Sequence, residues 1–360
     1  MGVNCSCFSF GKAFGDASSA EKLPEQFRPF FIAMKKLLLT FVALVCATVS
    51  YAQQQLVATL THGDEITMFY GTYAYRDAMN AAVDGDVINL SGGGFQATTI
   101  NKAVSIRGAG VEANQPTFIV GSFNINIPAE STERLTMEGL RISNDITLQG
   151  TLKNAYFFKN YIKSVRGSSG ANVKNAMFVN CKVLECYNGS SGYVASYQFL
   201  NSYVATFSNY SNSNATACFL NCVINHGYDA DDICHSTLLN CILVNNTDHT
   251  GSSLPSSSSA TNCLAISAKG GNAFSNVQAS LNNKNITDFA VFTDLDYMKD
   301  LTDEAKATYF GTDGTPVGMY GGPLPFSFTP TYPQITKMNV ASKTTADGKL
   351  SVDIEVSSAQ

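Results

Sequence analysis

The side chains with the most evident capacity for chemistry lie between residues 226 and 249, where acidic and histidine residues concentrate. Asp229 and Asp248 each follow an asparagine of a repeating pattern by eight residues. If each repeat forms one turn of a solenoid, the two carboxylates stack about one strand spacing (~5 Å) apart. Such a pair suits a retaining glycosidase, and it equally suits a calcium ion. The candidate catalytic residues are Asp229, Asp231, Asp232 and Asp248, and the candidate metal ligands are Asp229 and Asp248.

The same acidic cluster also fits a structural role. Asp and Asn are common in turns because their side chains hydrogen-bond the nearby backbone. A solvated polar turn is the interpretation that we favour, and a hydrolase or calcium role is the alternative. A uronate lyase fits least, because it needs a cationic base, and no Lys or Arg occurs between Lys182 and Lys269.

Basic residues crowd the segment from Arg134 to Lys182, where eight cations accompany two acids. Lys153 and Lys174 occupy similar positions of the repeat, and so do Arg141 and Lys182. Short basic columns of this kind could hold sulfated or uronic glycans, so these four residues are the candidate substrate-binding residues. The alternative is that they are solvated outer-face cations that discourage aggregation of flat sheets.

The cysteines do not form a recognised metal motif. Cys218, Cys222 and His226 are four residues apart, a spacing that matches no known zinc pattern. Cys222, Cys241 and Cys263 recur near the repeat length, so they are expected to stack in the core, where a thiol behaves as a small hydrophobe. We predict mostly free, buried thiols and leave the disulfide pairing open.

The composition bounds the function classes. Charged residues make up only 14% of the chain and the net charge is −5. A net negative chain gives no electrostatic basis for sequence-independent nucleic-acid binding. Only four histidines and no tryptophan are present. We therefore predict no nucleic-acid partner and no cofactor, with calcium the one candidate ion.

The chain repeats itself about every 21 residues. An asparagine after a short apolar stretch recurs at intervals of 19 to 22 residues, and Gly139 continues the period one step earlier. Asn and Gly both tolerate the left-handed αL conformation that a bend between strands requires, and stacked Asn side chains can bond neighbouring rungs. The predicted structural ladder is Gly139, Asn160, Asn180, Asn201, Asn221, Asn240 and Asn262.

Each repeat alternates short apolar and polar stretches, which is typical of strands rather than of a helix. About 21 residues accommodate three short strands and three turns, so each repeat is expected to form one rung. The predicted fold class is all-β: a right-handed parallel β-helix of about ten rungs of ~21 residues, with an N-terminal helix cap. Alternating residues around Asp347 and Gly348 predict a C-terminal hairpin.

Two segments resemble secreted bacterial right-handed parallel β-helix proteins of the pectin-lyase-like superfamily. The first is the predicted helix face with Tyr75, Ala78, Met79 and Ala82, followed by the apolar stretch at 85–90. The second is the glycine-rich stretch at 311–322, which resembles the closing segment after the last rung of such proteins. The resemblance covers most of residues 73–328 and implies the fold rather than an activity, since catalytic and non-catalytic members share it.

The hydrolase motifs of that superfamily are not preserved. Polygalacturonase-like members carry Asn-Thr-Asp before Asp-Asp, then Gly-His-Gly and Arg-Ile-Lys. Here Asp231-Asp232 precedes Asn246-Thr247-Asp248, and the other two motifs are missing.

An apolar run at 37–49 follows Lys35 and Lys36 and ends at small residues before Gln53. This is the pattern of a secretory signal peptide, and the run is too short to span a bilayer. The predicted segments are an upstream extension without a fold (1–33), the signal peptide (34–52), an N-terminal segment with the helix cap (53–84), the β-helix (85–292), a closing segment (293–328) and a C-terminal hairpin (329–360).

Together these observations predict an exported protein, located at the cell surface, in the periplasm or outside the cell. Its expected role is a non-catalytic scaffold that binds polysaccharide, without a transmembrane span in the mature chain. The alternative is a polysaccharide-degrading hydrolase that uses the acidic cluster. The oligomeric state is left open.

Overall fold

The computed structural model describes residues 56–188, 192–209, 214–225, 233–245, 253–294, 300–340, 348–349 and 352–357. All of them belong to the unit formed by Leu56–Gln360. The structure is mostly β. In chain order the strands are β1 Val57–His62, β2 Glu65–Tyr70, β3 Val87–Leu90, β4 Gly93–Gln96, β5 Ser105–Arg107, β6 Thr117–Val120, β7 Phe123–Ile125, β8 Thr136–Glu138, β9 Leu140–Leu148, β10 Thr151–Lys153, β11 Tyr156–Phe158, β12 Tyr161–Gly167, β13 Asn172–Val179, β14 Lys182–Tyr187, β15 Val194–Leu200, β16 Tyr203–Val204, β17 Phe207–Ser208, β18 Ala215–Leu220, β19 Val223–Asn225, β20 Ser236–Leu239, β21 Ile242–Asn245, β22 Ser259–Thr261, β23 Leu264–Ser267, β24 Ala279–Leu281, β25 Lys284–Ile286, β26 Gln334–Val340 and β27 Val352–Ser357.

The strands form a parallel β-solenoid of about nine turns of ~21 residues, which confirms the predicted repeat. Sheet A has the order β2-β1-β3-β5-β8-β11-β13-β15-β18-β20-β22-β24, and sheet B runs β25-β23-β21-β19-β16-β14-β12-β9-β6-β4. Pairing is parallel throughout both sheets except at β1, which pairs antiparallel with β2 and β3. Each turn therefore contributes at least one strand to each sheet, and side chains one turn apart lie in columns.

The strands of successive turns form two long sheets, whereas three separate strands in each turn were predicted. Long strands explain the difference. A single strand can run through a bend and so form two of the three sides of a turn. The pairing of β12 with β9 shows this bend as a register shift between Ile162 and Ser164. Short strands such as β7, β10 and β17 extend the same sheets on that side.

The interior is built from columns of like side chains. Phe157, Phe178, Phe199 and Phe219 stack on consecutive turns, with ring centroids 4.6, 4.9 and 5.0 Å apart. These distances match the spacing of paired strands, ~4.7–4.9 Å. The interplanar angles of 5°, 15° and 8° show nearly parallel rings. Strand pairing and aromatic packing therefore reinforce each other along the axis.

A second inward column follows the bend between sheets A and B. Its members are small or polar. Several of them bond the backbone of the preceding turn, as Cys181 Sγ does to the Phe157 carbonyl at 3.2 Å and Ser202 Oγ to the Phe178 carbonyl at 3.1 Å. Asn160 Nδ2 donates to the Met137 carbonyl at 2.7 Å. The column comprises Asn160, Cys181, Ser202, Cys222, Cys241, Cys263 and Asn283.

The described cysteines are all free thiols, as predicted, and six of the seven are buried. Burial raises the pKa of Cys181 and of Cys186 to about 12, which suppresses the reactive thiolate. Cys218 is the exposed one.

Thiol labelling of the native protein tests this packing. Among the described cysteines, Cys218 is expected to react first with a maleimide, because it is exposed and the other six are buried. Peptide mapping by mass spectrometry identifies the labelled site, and Cys218→Ser should remove the early signal. Equally fast labelling of Cys241 would contradict the inward column.

The bend itself is a column of αL residues, with φ values of 50° at Asn180, 45° at Asn201, 50° at Asn221, 56° at Asn240 and 50° at Asn262. Gly139 belongs to the same column, with φ 68°.

Asn160 does not lie in this column, contrary to the prediction. Lys159 takes the αL position with φ 54°, because Phe158 pairs with Glu138 and Val179 and so places Lys159 between Gly139 and Asn180. Asn160 is therefore one residue further on, in the inward column, where its side chain bonds Met137 as described.

The amides of the αL column bond a C-terminal segment, the strap, which we define as residues 311–332. Asn201 Nδ2 donates to the carbonyls of Met319 and Gly321 at 3.0 and 2.6 Å, and Asn180 Nδ2 donates to that of Leu324 at 3.1 Å. At Asn180 the predicted bond between rungs is a long contact, in which Nδ2 lies 3.4 Å from the Asn201 carbonyl oxygen.

The strap runs back along the solenoid towards its N-terminal turns. Its start lies at Asn240, whose Oδ1 accepts from the Thr312 amide at 2.9 Å. Its end lies at Glu138, whose Oε1 accepts from the Thr331 amide and hydroxyl at 2.8 and 2.7 Å. Between these points Lys159 Nζ donates to the Thr329 carbonyl, and burial lowers the pKa of Lys159. The glycine-rich segment expected to close the solenoid thus lies along its side.

The remaining elements are few. Helix α1, Ala74–Ala81, buries Tyr75, Ala78 and Met79 in the main core, and helix α2 spans Asp303–Lys306. No helix among the described residues is long and apolar enough to cross a bilayer. Strands β26 and β27 pair antiparallel, as predicted for the C-terminal hairpin. The residues predicted as its turn are only partly described, since Asp347 is outside the described ranges.

Candidate functional site

The acidic cluster predicted from the sequence lies outside the described residues. This applies to Asp229, Asp231, Asp232 and Asp248, and so to both candidate metal ligands. Within the described ranges, no group of three or more His, Cys, Asp and Glu side chains could hold a metal ion. The hydrolase and calcium hypotheses therefore stay predictions.

Lys153 and Lys174 are paired residues on adjacent turns, in strands β10 and β13. Both are exposed. Lys153 Nζ donates to the Ala129 carbonyl at 2.6 Å. The two cations are thus one strand spacing apart on the outside of sheet A.

Arg141 and Lys182 lie in one column on the outer face of sheet B, two turns apart. Tyr161 lies between them, because it pairs with Arg141 on one side and with Lys182 on the other. Pairing extends the column to Phe118 before Arg141 and to Tyr203 after Lys182. We call Phe118, Arg141, Tyr161, Lys182 and Tyr203 the aromatic–cation column.

Rings and cations alternate along this column and contact each other. The Arg141 guanidinium carbon lies 5.7 Å from the Phe118 ring centroid and 5.1 Å from that of Tyr161. Lys182 Nζ lies 5.8 Å from the centroid of Tyr161 and 5.5 Å from that of Tyr203. These distances fall within the ~6 Å range of cation–π attraction. Each cation is therefore held between two rings.

The local sequence explains why these five side chains point outward. Successive residues of a strand face opposite sides, and the residues that follow them in the chain are buried, as Ile142, Ile162 and Val183 illustrate. The column residues themselves are only partly buried. They retain access to solvent while their positions are set by the ladder of sheet B.

A third cation, Arg166, belongs to the continuation of β12 beyond the bend. Its guanidinium is 3.3 Å from Asp145 and 3.2 Å from Glu185, and it also lies 4.9 Å from the Tyr187 ring centroid. Arg166 is therefore neutralised by its neighbours. Arg141 and Lys182, in contrast, lie between aromatic rings in their own column.

The column ends where the C-terminal segment begins to cover sheet B. The next residues of the same column, Val223, Ile242 and Leu264, are buried in an apolar cluster. That cluster includes Val317 and Met319 of the strap. Tyr203 packs at its border, and burial raises the pKa of the Tyr203 phenol. The open part of the outer face therefore spans the five turns from Phe118 to Tyr203.

Sequence reasoning found the two cations and missed the three rings. Tyr161 and Tyr203 are each 21 residues from Lys182, so the repeat length applied to aromatic residues would have found them. Phe118 is harder to find, because its turn is longer and shifts the spacing.

Comparison with known proteins adds no relative: no protein-family model, curated protein or solved structure matches this chain. The column presents aromatic rings and cations, and successive side chains are one strand spacing apart. These groups provide apolar contact and charge pairing for a bound anion.

Proposed function

We propose that this protein is an exported β-helix scaffold of the pectin-lyase-like type that binds an acidic polysaccharide along the aromatic–cation column. The proposal rests mainly on the alternation of rings and cations over five consecutive turns. Export is supported by the leader-like run at 37–49. Helix α1 packs against the first strands of the solenoid, which supports its proposed role as an N-terminal cap.

The chemistry of the column suits an extended glycan. The exposed edges of the aromatic side chains offer apolar contact to the C–H groups of sugars, while Arg and Lys bond carboxylate or sulfate groups. The strand spacing of ~4.8 Å is close to the length of one sugar unit in an extended chain. A glycan parallel to the solenoid axis could therefore repeat the same contact on successive turns, and weak contacts would add up.

Charge removal tests the proposal. The double variant Arg141→Gln with Lys182→Gln is expected to weaken binding of an acidic polysaccharide about tenfold, since each solvent-exposed ion pair contributes up to ~1 kcal/mol. Isothermal titration calorimetry at low salt, on a panel of acidic and neutral polysaccharides, measures the effect.

The matched control is Lys153→Gln with Lys174→Gln, which removes the same charge from sheet A. It is expected to leave the affinity nearly unchanged. Equal losses in both double variants would mean that net charge, rather than the column, governs binding. Release of reducing ends by the native protein would instead support the hydrolase hypothesis on Asp229, Asp231, Asp232 and Asp248.

A further inference from the structure

We infer that the ligand is a polysaccharide that carries its negative charge on every second sugar, with an uncharged sugar between. This inference rests on the proposed function and specifies its ligand. The supporting observation is the period of the column: cations occupy alternate turns, at Arg141 and Lys182, and an aromatic ring occupies each turn beside them.

The two cations are two strand spacings apart, about 9.6 Å along the axis. An extended glycan parallel to the axis advances roughly one sugar for each turn. Acidic groups on alternate sugars then meet Arg141 and Lys182, while the intervening sugar lies on Tyr161. A neutral sugar suits that position, because the Tyr161 side chain carries no charge that could pair with a carboxylate.

A glycan charged on every sugar fits the same column poorly. One of its carboxylates would lie over the Tyr161 side chain and would lose hydration there without a cation directly beneath it. The ring also contacts both neighbouring cations, at 5.1 and 5.8 Å, and a displaced cation would lose that contact. Discrimination therefore comes from the ring between the charges as much as from the charges themselves.

The length of the site follows from its borders. Gly94 precedes Phe118 in the column and carries no side chain, and Val223, after Tyr203, is buried beneath the C-terminal segment. Five turns are left open, so affinity should rise with chain length up to about five or six sugars and then level off.

The experiment compares three hexasaccharides of different charge pattern by calorimetry: hyaluronan, charged on alternate sugars; oligogalacturonate, charged on every sugar; and chitohexaose, uncharged. The native protein is expected to bind hyaluronan at least about threefold more tightly than oligogalacturonate, although oligogalacturonate carries twice the charge. Chitohexaose should bind most weakly.

Tyr161→Lys is the decisive variant, because it places a cation on three consecutive turns. It should reverse the preference in favour of oligogalacturonate. Lys163→Gln is the control, since Lys163 is an exposed cation on the same strand but outside the column; the preference should persist. Circular dichroism verifies that each variant is folded, and Arg141→Gln provides a second test by lowering hyaluronan affinity about threefold.

The outcomes distinguish failure of acidic-glycan binding from failure of the alternating charge pattern. If none of the acidic glycans binds, the proposed function is wrong. If they bind in order of total charge, or if Tyr161→Lys leaves the preference unchanged, acidic-glycan binding stands and the alternating charge pattern is refuted. A native preference for hyaluronan that Tyr161→Lys reverses supports both.

Discussion

Replacing Phe178 by alanine is expected to lower the free energy of unfolding by about 3–5 kcal/mol, the range for a buried Phe→Ala change. Phe178 is fully buried and lies between the rings of Phe157 and Phe199, with centroid distances of 4.6 and 4.9 Å. The substitution removes one ring and leaves a cavity that the rigid strand ladder cannot close. Urea denaturation followed by circular dichroism measures the loss.

Met177→Ala is the matched control for Phe178→Ala. Met177 is the preceding residue on the same strand, but its side chain points outward and is only half-buried. Its replacement should cost less than about 1 kcal/mol. If the two substitutions were equally destabilising, the assignment of the inner and outer faces of sheet A would be wrong.

Replacing Gly322 by alanine is expected to detach the strap and to destabilise the protein by about 2–4 kcal/mol. Gly322 has φ 71°, and an added Cβ would lie 2.0 Å from Nδ2 of Asn221. The clash comes from a buried side chain in the αL column, so neither partner can move away easily. Limited proteolysis within residues 311–332 and a lower melting temperature are the expected observations.

Gly314→Ala separates the clash from the backbone strain. Gly314 also has a positive φ, 76°, but a Cβ there meets nothing within 4 Å. This variant should show only the αL penalty of ~1–2 kcal/mol and keep the strap protected from proteases. A strap equally labile in both variants would show that strain alone, without the contact to Asn221, determines its attachment.

Release of the strap should also affect the outer face of sheet B. Val317 and Met319 cover Ile242 and Leu264, so detachment exposes an apolar surface that continues the aromatic–cation column. Dye binding to exposed apolar surface should rise in Gly322→Ala and not in Gly314→Ala. A rise in dye binding in Gly322→Ala alone would show that the strap limits the length of the open outer face of sheet B.

The position of Lys159 illustrates how far local patterns reach. The asparagine period predicts an αL residue at Asn160, and the pairing of Phe158 with Glu138 and Val179 shows that the bend comes one residue earlier. Lysine is unfavourable at positive φ, so nothing in the local sequence indicates it. The backbone accepts it because the neighbouring turns impose the bend and the strap accepts a hydrogen bond from its amine.

The sequence by itself determined the solenoid, its repeat length and the inward direction of the apolar side chains. These properties depend on residue types that recur once in each turn, and in-register stacking turns such a period directly into columns. The alternation of Arg141, Tyr161 and Lys182 was likewise available from the repeat length, although only the two cations were recognised. Only the tertiary structure decided the course of the strap and the border of the open face. Both depend on contacts between residues far apart in the chain, such as Asn180 and Leu324, 144 residues apart, and a segment without a repeat carries no local signal for the surface that it covers.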